Sequence, residues 1–500
     1  MKRNPSATVL ALLCLLLCLL MASSISPAQQ TPASLRTKFN SGELSARLEK
    51  LIPRLMKEGD VPGLSVAIIS NGKVIWNHAF GVKSVSTREP VDDNTVFEAA
   101  SLSKPVMAYA ALKLVDAGKL DLDKPLAQYL EKPYLEGDDR LSLITARRVL
   151  THTTGFPNWR PQGQPLKIVF PPGERFSYSG EGFVYLQKVI ERLTGQAFDD
   201  FMRATVFEPL GMTSSSYVWL PKYETLKATG HDPGGTALSR RKPTEANSAA
   251  SLQTTSVDYA KFMIAVMSGS GLKTATAQAM ISSQIQVDEA CSNCVSRPPS
   301  GKLSPVLAWG FGVGLQQTKD GNSYWHWGDN GDVHCYMLGY PKQRQGIVVF
   351  TNSGNGHGII PEIVREALGG EQPAIAWIRY EPYNSPARLF FKDILARGGV
   401  AFNEYRGQQK SKTAKFTLDE TQMNRLGYLL LGRKRLPEAI EVFKANVEDY
   451  PNSSNTYDSL GEAYMIAGEK ELAIKNYEKS VELNPKNEGG IGALKKLRGQ

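Results

Sequence analysis

The sequence has 500 residues, too many for one compact domain, so we expect two or three. Apolar residues make up 42% and charged residues 21%, which excludes a disordered or low-complexity chain. The net charge of +9 is spread along the chain, without the basic block that binds nucleic acid. Nucleic-acid binding is therefore not expected.

The first residues predict export. Met1-Lys2-Arg3 is a basic start, and residues 9–22 form an apolar segment shorter than the roughly twenty residues of a bilayer span. A small-x-small sequence, Ser26-Pro27-Ala28, follows before Gln29. The pattern predicts a signal peptide over residues 1–28 and a periplasmic or extracellular mature protein. The alternative is an uncleaved anchor, the one case in which the chain would contact a membrane.

Strand-like segments lie on both sides of a mostly helical middle. After a helix with Leu44, Leu48 and Leu55 at helical spacing, residues 64–69 and 73–80 predict a hairpin around Asn71-Gly72. Further strands are predicted at residues 309–316, 323–327, 333–340 and 346–351, and a closing helix at residues 359–368. This order predicts an α+β domain over residues 40–375, in which one antiparallel sheet joins both ends of the domain.

The C-terminal region carries an internal repeat. Six pairs of similar residues lie 34 positions apart: Leu426/Leu460, Gly427/Gly461, Leu430/Tyr464, Ala439/Ala473, Phe443/Tyr477 and Pro451/Pro485. This offset is typical of tetratricopeptide helix pairs, which we place at residues 416–498 after a linker with helices at 376–415. Because such arrays usually need about three units, we expect the two to pack on helices within 387–409 or on the preceding domain. The tail is either a stabilising cap or a surface for a protein partner.

Neither the cysteines nor the late histidines predict a metal site. Cys291 and Cys294 form a Cys-x-x-Cys pair in a polar loop without a second pair, so a local disulfide and two free thiols both remain open. His326, Asp329, Asp332 and His334 lack zinc-type spacing, and we interpret the sequence around them as a solvated hairpin turn. No cofactor is expected.

A Ser-x-x-Lys pattern places a hydroxyl and an amine one helical turn apart. The sequence contains it four times, at Ser70/Lys73, Ser101/Lys104, Ser239/Lys242 and Ser270/Lys273. Of these pairs, only Ser101 and Lys104 begin a long apolar helix, where burial and the helix N-terminus disfavour an ammonium ion. A neutral Lys104 could accept the proton of Ser101 as the hydroxyl attacks a carbonyl. Taken alone, the pair fits a capping serine and a surface lysine better.

Further motifs favour the catalytic interpretation. They are Phe97-Glu98-Ala99-Ala100-Ser101-Leu102-Ser103-Lys104, Leu150-Thr151-His152-Thr153-Thr154-Gly155, Tyr178-Ser179-Gly180, Pro209-Leu210-Gly211-Met212 and His326-Trp327-Gly328. In this order the chain resembles the serine β-lactamase and penicillin-binding-protein superfamily, particularly class C lactamases and their esterase-like relatives, over residues 40–370. The resemblance implies a β-lactamase/transpeptidase-like fold.

The resemblance also implies roles for individual residues. Ser101 would be the acylated nucleophile, Lys104 its base partner and Tyr178 the second acid/base. The backbone N–H groups of Ser101 and Asp329 would form the oxyanion hole, with His326 and Gly328 on the strand that edges the pocket. His152 is interpreted as a hydrogen bonder that fixes its loop.

Two departures from the family pattern narrow the substrate. Gly180 stands where the family usually has Asn, and His326 stands where true lactamases generally have Lys to pair with a substrate carboxylate. The sequence thus predicts an exported serine hydrolase of small esters, peptides or cell-wall-related amides, esterase-like or D-aminopeptidase-like, with at most weak β-lactamase activity. The alternative is a non-catalytic cell-wall or ligand receptor with a partner-binding tail. The sequence also lacks the Gly-x-Ser-x-Gly, His-Glu-x-x-His and Walker A motifs of other enzyme classes.

Overall fold

A computed structural model describes residues 34–36, 41–160, 163–295 and 299–499. The predicted signal peptide lies outside these residues. Within them, the helices all fall short of the length or hydrophobicity that a bilayer span requires.

The N-terminal hairpin forms as predicted. Strands β1 (Gly63–Ser70) and β2 (Lys73–Gly81) pair antiparallel around Asn71 and Gly72. Both turn residues have positive φ, 52° and 70°, the conformation that two-residue hairpin turns need and that Asn-Gly adopts at low cost.

In the described residues, eight strands form one antiparallel sheet in the order β2-β1-β10-β9-β8-β7-β6-β5. The later strands are β5 (Ile285–Asp288), β6 (Leu303–Trp309), β7 (Gly314–Thr318), β8 (Gly321–Asp329), β9 (His334–Tyr340) and β10 (Gln345–Thr351). A separate ribbon pairs β3 (Phe97–Glu98) with β4 (Gln253–Thr254). Because β1 pairs with β10, the sheet joins the two ends of the domain, which confirms the predicted topology.

The single strand predicted at residues 309–316 is wrong. A tight turn separates β6 from β7: the N–H of Gly310 donates to the carbonyl of Val313, and Gly312 has a φ of 77°. Only glycine adopts that φ readily, so the two glycines mark a turn inside an apolar run.

Helices cover both faces of the sheet. In this part of the chain they are α1 (Ser41–Gly59), α2 (Ser103–Asp116), α3 (Ala146–Leu150), α4 (Glu181–Thr194), α5 (Phe198–Met202), α6 (Glu208–Leu210), α7 (Tyr223–Leu226), α8 (Ser256–Ser268), α9 (Thr274–Met280), α10 (Ile360–Leu368) and α11 (Pro373–Ile378). Strand β10 alternates between two cores: Val348 and Phe350 pack with α2 and α8, whereas Ile347 and Val349 pack with α1 and α10. Alternate side chains of a strand point to opposite faces, so a sheet covered on both sides needs apolar residues throughout.

The C-terminal region is entirely helical. Its helices are α12 (Pro386–Arg397), α13 (Gly399–Lys410), α14 (Glu420–Gly432), α15 (Leu436–Asp449), α16 (Ser454–Ala467), α17 (Lys470–Leu483) and α18 (Glu488–Arg498). Phe390 of α12 and Phe402 of α13 share one core with Leu430, Phe443 and Tyr477 of the repeats. The two repeats thus pack on the helices within residues 387–409, as their small number requires.

Candidate active site

Ser101 lies in a single 3₁₀ turn, Ala100–Leu102, immediately before α2. Two hydrogen bonds of Ser103 anchor the turn. Its hydroxyl donates to the carbonyl of Ala100 and accepts from the N–H of Leu252. Ala100 has a φ of 44°, an unfavourable conformation for a residue with a Cβ atom. Backbone strain held by surrounding contacts thus directs the partly exposed Ser101 outward at the helix start.

Lys104 is fully buried one turn further along, and its Nζ lies 3.0 Å from Oγ of Ser101. The same nitrogen donates to the carbonyl of Ala249 at 2.8 Å. Burial lowers the pKa of Lys104 well below its usual value, so the neutral amine forms more readily than in a solvated lysine. A neutral amine has one lone pair, which can accept the Ser101 proton while an N–H remains on Ala249.

The ring of Tyr178 packs against this pair. Nζ of Lys104 lies 4.8 Å from its centroid, and the ring lies between His152 at 4.3 Å and Trp327 at 4.8 Å. Burial raises the pKa of Tyr178, while the interaction with the Ser101 side chain acts in the opposite direction. Tyr178 is therefore protonated at rest and close to Ser101, as a proton donor or relay must be.

His152 fixes the backbone that carries Tyr178. Its Nδ1 accepts from the N–H of Ser179 at 3.0 Å, and its carbonyl accepts from the N–H of Ser177 at 2.8 Å. Burial lowers the pKa of His152 well below its usual value, so the ring is neutral. The structure thus places His152 in the loop-fixing position that the sequence indicated.

The His326-Trp327-Gly328 motif, called the third motif below, forms the end of β8, against the turn that carries Ser101. A Cβ atom on Gly328 would lie 2.6 Å from the carbonyl oxygen of Ala99 and 2.3 Å from Sγ of Cys335, so this close approach requires glycine. The pairing of β7 with β8 ends at Trp325, so His326 to Asp329 run past the end of that neighbour. This edge brings Gly328 and Asp329 beside the Ser101 turn, where the predicted oxyanion hole needs them.

His326 is buried and uncharged. Its Nδ1 lies 2.7 Å from the carbonyl oxygen of Trp327. Burial and the nearby Lys104 lower the pKa of His326 to about 3. At neutral pH it therefore lacks the positive charge with which a lysine at this position would hold a substrate carboxylate.

The carboxylate of Asp329 contacts the β8–β9 turn, strand β9 and the segment after α11. It accepts hydrogen bonds from the N–H of Gly331 at 2.7 Å and from the hydroxyl of Tyr380 at 2.6 Å, and it lies 3.2 Å from Nε2 of His334. Burial acts to raise the pKa of Asp329, but His334 and Tyr380 outweigh it and hold the pKa well below its usual range. Asp329 is thus an ionised anchor of the β8–β9 turn.

The hairpin turn after β8 is exposed only at its tip, Gly331, so the predicted solvated turn is wrong for Asp332 and His334 beside the tip. Asp332 is 4% exposed and pairs with Arg241, while His334 is 5% exposed and stacks on His357. Contacts from residues distant in the sequence cover this turn, which its local composition could not indicate. Among the described residues, no three metal-ligating side chains form a candidate metal centre.

The space beside Gly180 is occupied by Trp159. A Cβ atom on Gly180 would lie 2.7 Å from the indole ring, and that ring is 5.8 Å from Nζ of Lys104. Trp159 is 43% exposed, so it forms an accessible wall of the site. No sequence pattern pointed to Trp159, although the Gly at position 180 in place of the family's usual Asn was a signal that another side chain takes that space.

A disulfide supports the Tyr178 segment. Cys291 and Cys294 are bonded, which resolves the alternative left open by the sequence. Within their loop, the carbonyl of Ser292 accepts from the N–H of Tyr178 at 2.9 Å. The Cys-x-x-Cys pair therefore has a structural role beside the site.

Known families match both parts of the chain. The family model described as Beta-lactamase matches residues 48–365, and a tetratricopeptide-repeat model matches residues 454–487. Protein flp of Staphylococcus aureus (strain N315) is 24% identical over 338 residues, which cover 64% of this chain and 64% of that protein. The chain thus matches less than two thirds of the length of this relative.

Two further relatives have functional names. Penicillin-binding protein 4 of Amycolatopsis lactamdurans is 26% identical over 353 residues, covering 65% of this chain and 89% of that protein. Esterase EstB of Burkholderia gladioli is 28% identical over 210 residues, covering 36% of this chain and 53% of the esterase.

Solved structures share the fold. An octameric penicillin-binding protein homologue from Pyrococcus abyssi has a TM-score of 0.55 at 23% identity, covering 71% of this chain and 82% of that one. A class C β-lactamase has a TM-score of 0.55 at 20% identity, covering 66% of this chain and 99% of that one. These likenesses confirm the predicted β-lactamase/transpeptidase-like fold.

Proposed function

The chain belongs to the β-lactamase family of serine hydrolases, and on this premise we propose that it is an exported hydrolase that forms an acyl-enzyme on Ser101. One observation carries the proposal: a buried amine, Lys104, lies 3.0 Å from the Ser101 hydroxyl. Burying an ionisable amine destabilises a protein. Its proximity to a hydroxyl at a partly exposed helix start is typical of a functional site rather than of a structural one.

The proposed reaction has two halves. In acylation, Oγ of Ser101 attacks the substrate carbonyl while its proton passes to Nζ of Lys104, and the N–H groups of Ser101 and Asp329 receive the developing negative charge. Tyr178 then relays a proton to the leaving alcohol or amine. In deacylation, water attacks the ester on Ser101 and gives up a proton to the same groups, which return a proton to Oγ of Ser101 as the bond to the acyl carbon breaks and the acid leaves.

The pocket favours a neutral acyl group. His326 is uncharged where a cation would hold a carboxylate, and Gly180 offers no amide to a substrate amide. Trp159 and Trp327 instead present aromatic surface beside Lys104 and Tyr178. We therefore propose small esters or uncharged amides as substrates, with weak turnover of β-lactams.

The disulfide and the tail support two further parts of the proposal. A Cys291–Cys294 bond is stable in an oxidising compartment, which is consistent with export to the periplasm or the cell exterior. Tetratricopeptide helices commonly present a surface to other proteins, so we propose a protein partner for the tail.

Labelling of the nucleophile tests the proposal. The parent protein is treated with a fluorophosphonate or penicillin probe and examined by mass spectrometry, beside Ser101→Ala and Ser239→Ala. Ser239 is a matched control, because it has a lysine at the same spacing but is exposed. We expect an adduct on the parent and on Ser239→Ala but none on Ser101→Ala. Equal labelling of Ser101→Ala would refute the assignment.

A substrate screen separates the enzyme from the receptor alternative. Esters, D-amino-acid amides and β-lactams are compared for turnover by the mature protein. We expect the fastest hydrolysis with p-nitrophenyl esters of uncharged acids. A complete lack of turnover together with tight, tail-dependent binding of a partner would favour the receptor.

A further inference from the structure

The linker between the two domains contacts the third motif from behind. Tyr380 follows α11, beyond the residues that match the β-lactamase family, and its hydroxyl donates to Asp329 at 2.6 Å. Its ring stacks on His357 at 4.0 Å, and Nε2 of His357 lies 3.0 Å from the carbonyl oxygen of Gly328. One linker side chain thus supports two successive residues of the strand that edges the site.

The two faces of β8 explain why this support affects catalysis. Gly328 faces the Ser101 turn, whereas the carboxylate of Asp329 points to the opposite side, toward Tyr380. An ionised carboxylate released toward the pocket would oppose the negative charge that develops on the substrate oxygen. Tyr380 and His334 hold that charge behind the strand.

The helical tail in turn holds the linker. Glu381, the residue after Tyr380, pairs with Arg425 of α14 at 3.1 Å. Glu381 and Arg425 both line a cavity of about 260 Å³. Its other walls include Asp329, His334, His357 and Tyr380. Because the junction is not densely packed, the Glu381–Arg425 ion pair is a direct contact through which the tail can affect the position of the neighbouring Tyr380.

We propose that Tyr380 is a positioning residue for Asp329, and that docking of the tail through Glu381 and Arg425 keeps it in place. The inference rests on the proposed hydrolase function and deepens it by making acylation depend on the tail. A change in the tail, such as a bound partner that displaces Arg425, would then lower the acylation rate without touching the substrate.

The test compares two hydroxyl deletions in the same linker of the full-length chain. Tyr380→Phe removes the hydrogen bond to Asp329, whereas Tyr383→Phe removes one to Glu362 of α10. Hydrolysis of a p-nitrophenyl ester should show kcat about tenfold lower for Tyr380→Phe with KM within twofold, and both constants within twofold for Tyr383→Phe. Equal behaviour of the two variants would overturn the inference.

A double-mutant cycle separates positioning from general damage. Asp329→Asn removes the charge that Tyr380 restrains, so adding Tyr380→Phe to it should change kcat by less than twofold. The same tenfold loss in both backgrounds would contradict the inference, because Tyr380 would then act by another route.

The tail contact has its own pair of variants, which also serves if Tyr380→Phe does not fold. Arg425→Ala should lower kcat about threefold, while Arg397→Ala, which breaks ion pairs inside the tail, should leave it unchanged. No difference between these arginine variants would overturn the tail's part. Absence of Ser101-dependent turnover in the parent would overturn the proposed function and this inference together, whereas the other negative results overturn the inference alone.

Discussion

The cleft beside Ser101 and the helical tail place their lysines in opposite environments. Lys104 is fully buried, with a hydroxyl and a carbonyl as its polar contacts, and burial lowers its pKa. Lys479 of α17 has a side chain 38% exposed and pairs with Glu482 one turn away. The comparison shows that the cleft buries an amine, which costs stability, whereas the tail keeps its lysine partly solvated and in an exposed ion pair of little energetic consequence.

Histidines show the same division. All six lie between residues 78 and 357, so the tail has none. In and behind the cleft, burial lowers the pKa values of His152, His326 and His357. Any acid sensitivity that depends on histidine is therefore confined to the hydrolase domain.

Replacement of each lysine by methionine should give the largest difference between the two regions. Lys104→Met should reduce kcat by about a thousandfold or more, because the serine loses its base. Its stability at pH 7 should not fall and should rise by about 1–2 kcal/mol, because a buried amine is replaced by an apolar chain of similar length. Lys479→Met should change neither quantity measurably. Ester hydrolysis and urea unfolding measure both, and more than a hundredth of parental activity in Lys104→Met would rule out its role as base.

Acid should destabilise the domain through His326. Its pKa is about 3 in the folded protein and 6.5 in the unfolded chain, so between these values the unfolded chain binds more protons and stability falls as pH falls. Relative to pH 7, the loss at pH 4 from this residue should be about 3 kcal/mol. In His326→Phe, the fall in the free energy of unfolding between pH 7 and pH 4 should be smaller by about 3 kcal/mol, as measured by urea unfolding at the two pH values. An unchanged pH dependence in the variant would show that His326 titrates normally.

The wall formed by Trp159 should set the preference for the acyl group. Trp159→Ala should raise KM about tenfold for esters of bulky apolar acids and much less for acetate esters, because only the larger group contacts the indole. Trp219→Ala is the control, since Trp219 makes an edge-to-face contact with Tyr223 and lies beside Lys227 and Lys242. A uniform change across acyl groups would mean that Trp159 supports the fold without contacting substrate.

The smallest effect should come from the disulfide. The double variant Cys291→Ser, Cys294→Ser lacks the covalent bond between the two residues. The loop is then less rigid, so the hydrogen bond from the Tyr178 N–H to the Ser292 carbonyl should be weaker. Because the loop is short, we expect a stability loss of about 1–2 kcal/mol and a twofold to fivefold fall in kcat. Reduction of the parent with dithiothreitol should reproduce both changes, and reduction should leave the double variant unaffected.

Local patterns predicted much of the fold and the central pair of the site. Asn71-Gly72 indicated its hairpin because few other dipeptides accept two positive φ values. The 34-residue offset indicated the helix pairs, and the structure shows the reason for the repeat. Gly427 packs against the ring of Phe443, and Gly461 packs against the ring of Tyr477 in the same way. Such features depend on neighbours in sequence and can be read directly.

Contacts between distant segments were not predictable. The carbonyl that binds Lys104 belongs to Ala249, and the side chain that fills the place of the missing Asn comes from Trp159. Both lie in irregular segments without periodicity, so no local pattern indicated their place in space. The turn between β6 and β7 was missed because its apolar residues resembled a buried strand.

By itself the sequence determined the chemistry available to this protein: a serine and a lysine one helical turn apart, a tyrosine motif, and a glycine at the end of a strand. Only the tertiary structure decided which of the four lysines in these pairs is buried, which ionisable groups lose their charge and which residue outside the family domain holds Asp329. The physical reason is that spacing along the chain fixes which groups share a turn, whereas pKa and position depend on the solvent that distant segments exclude.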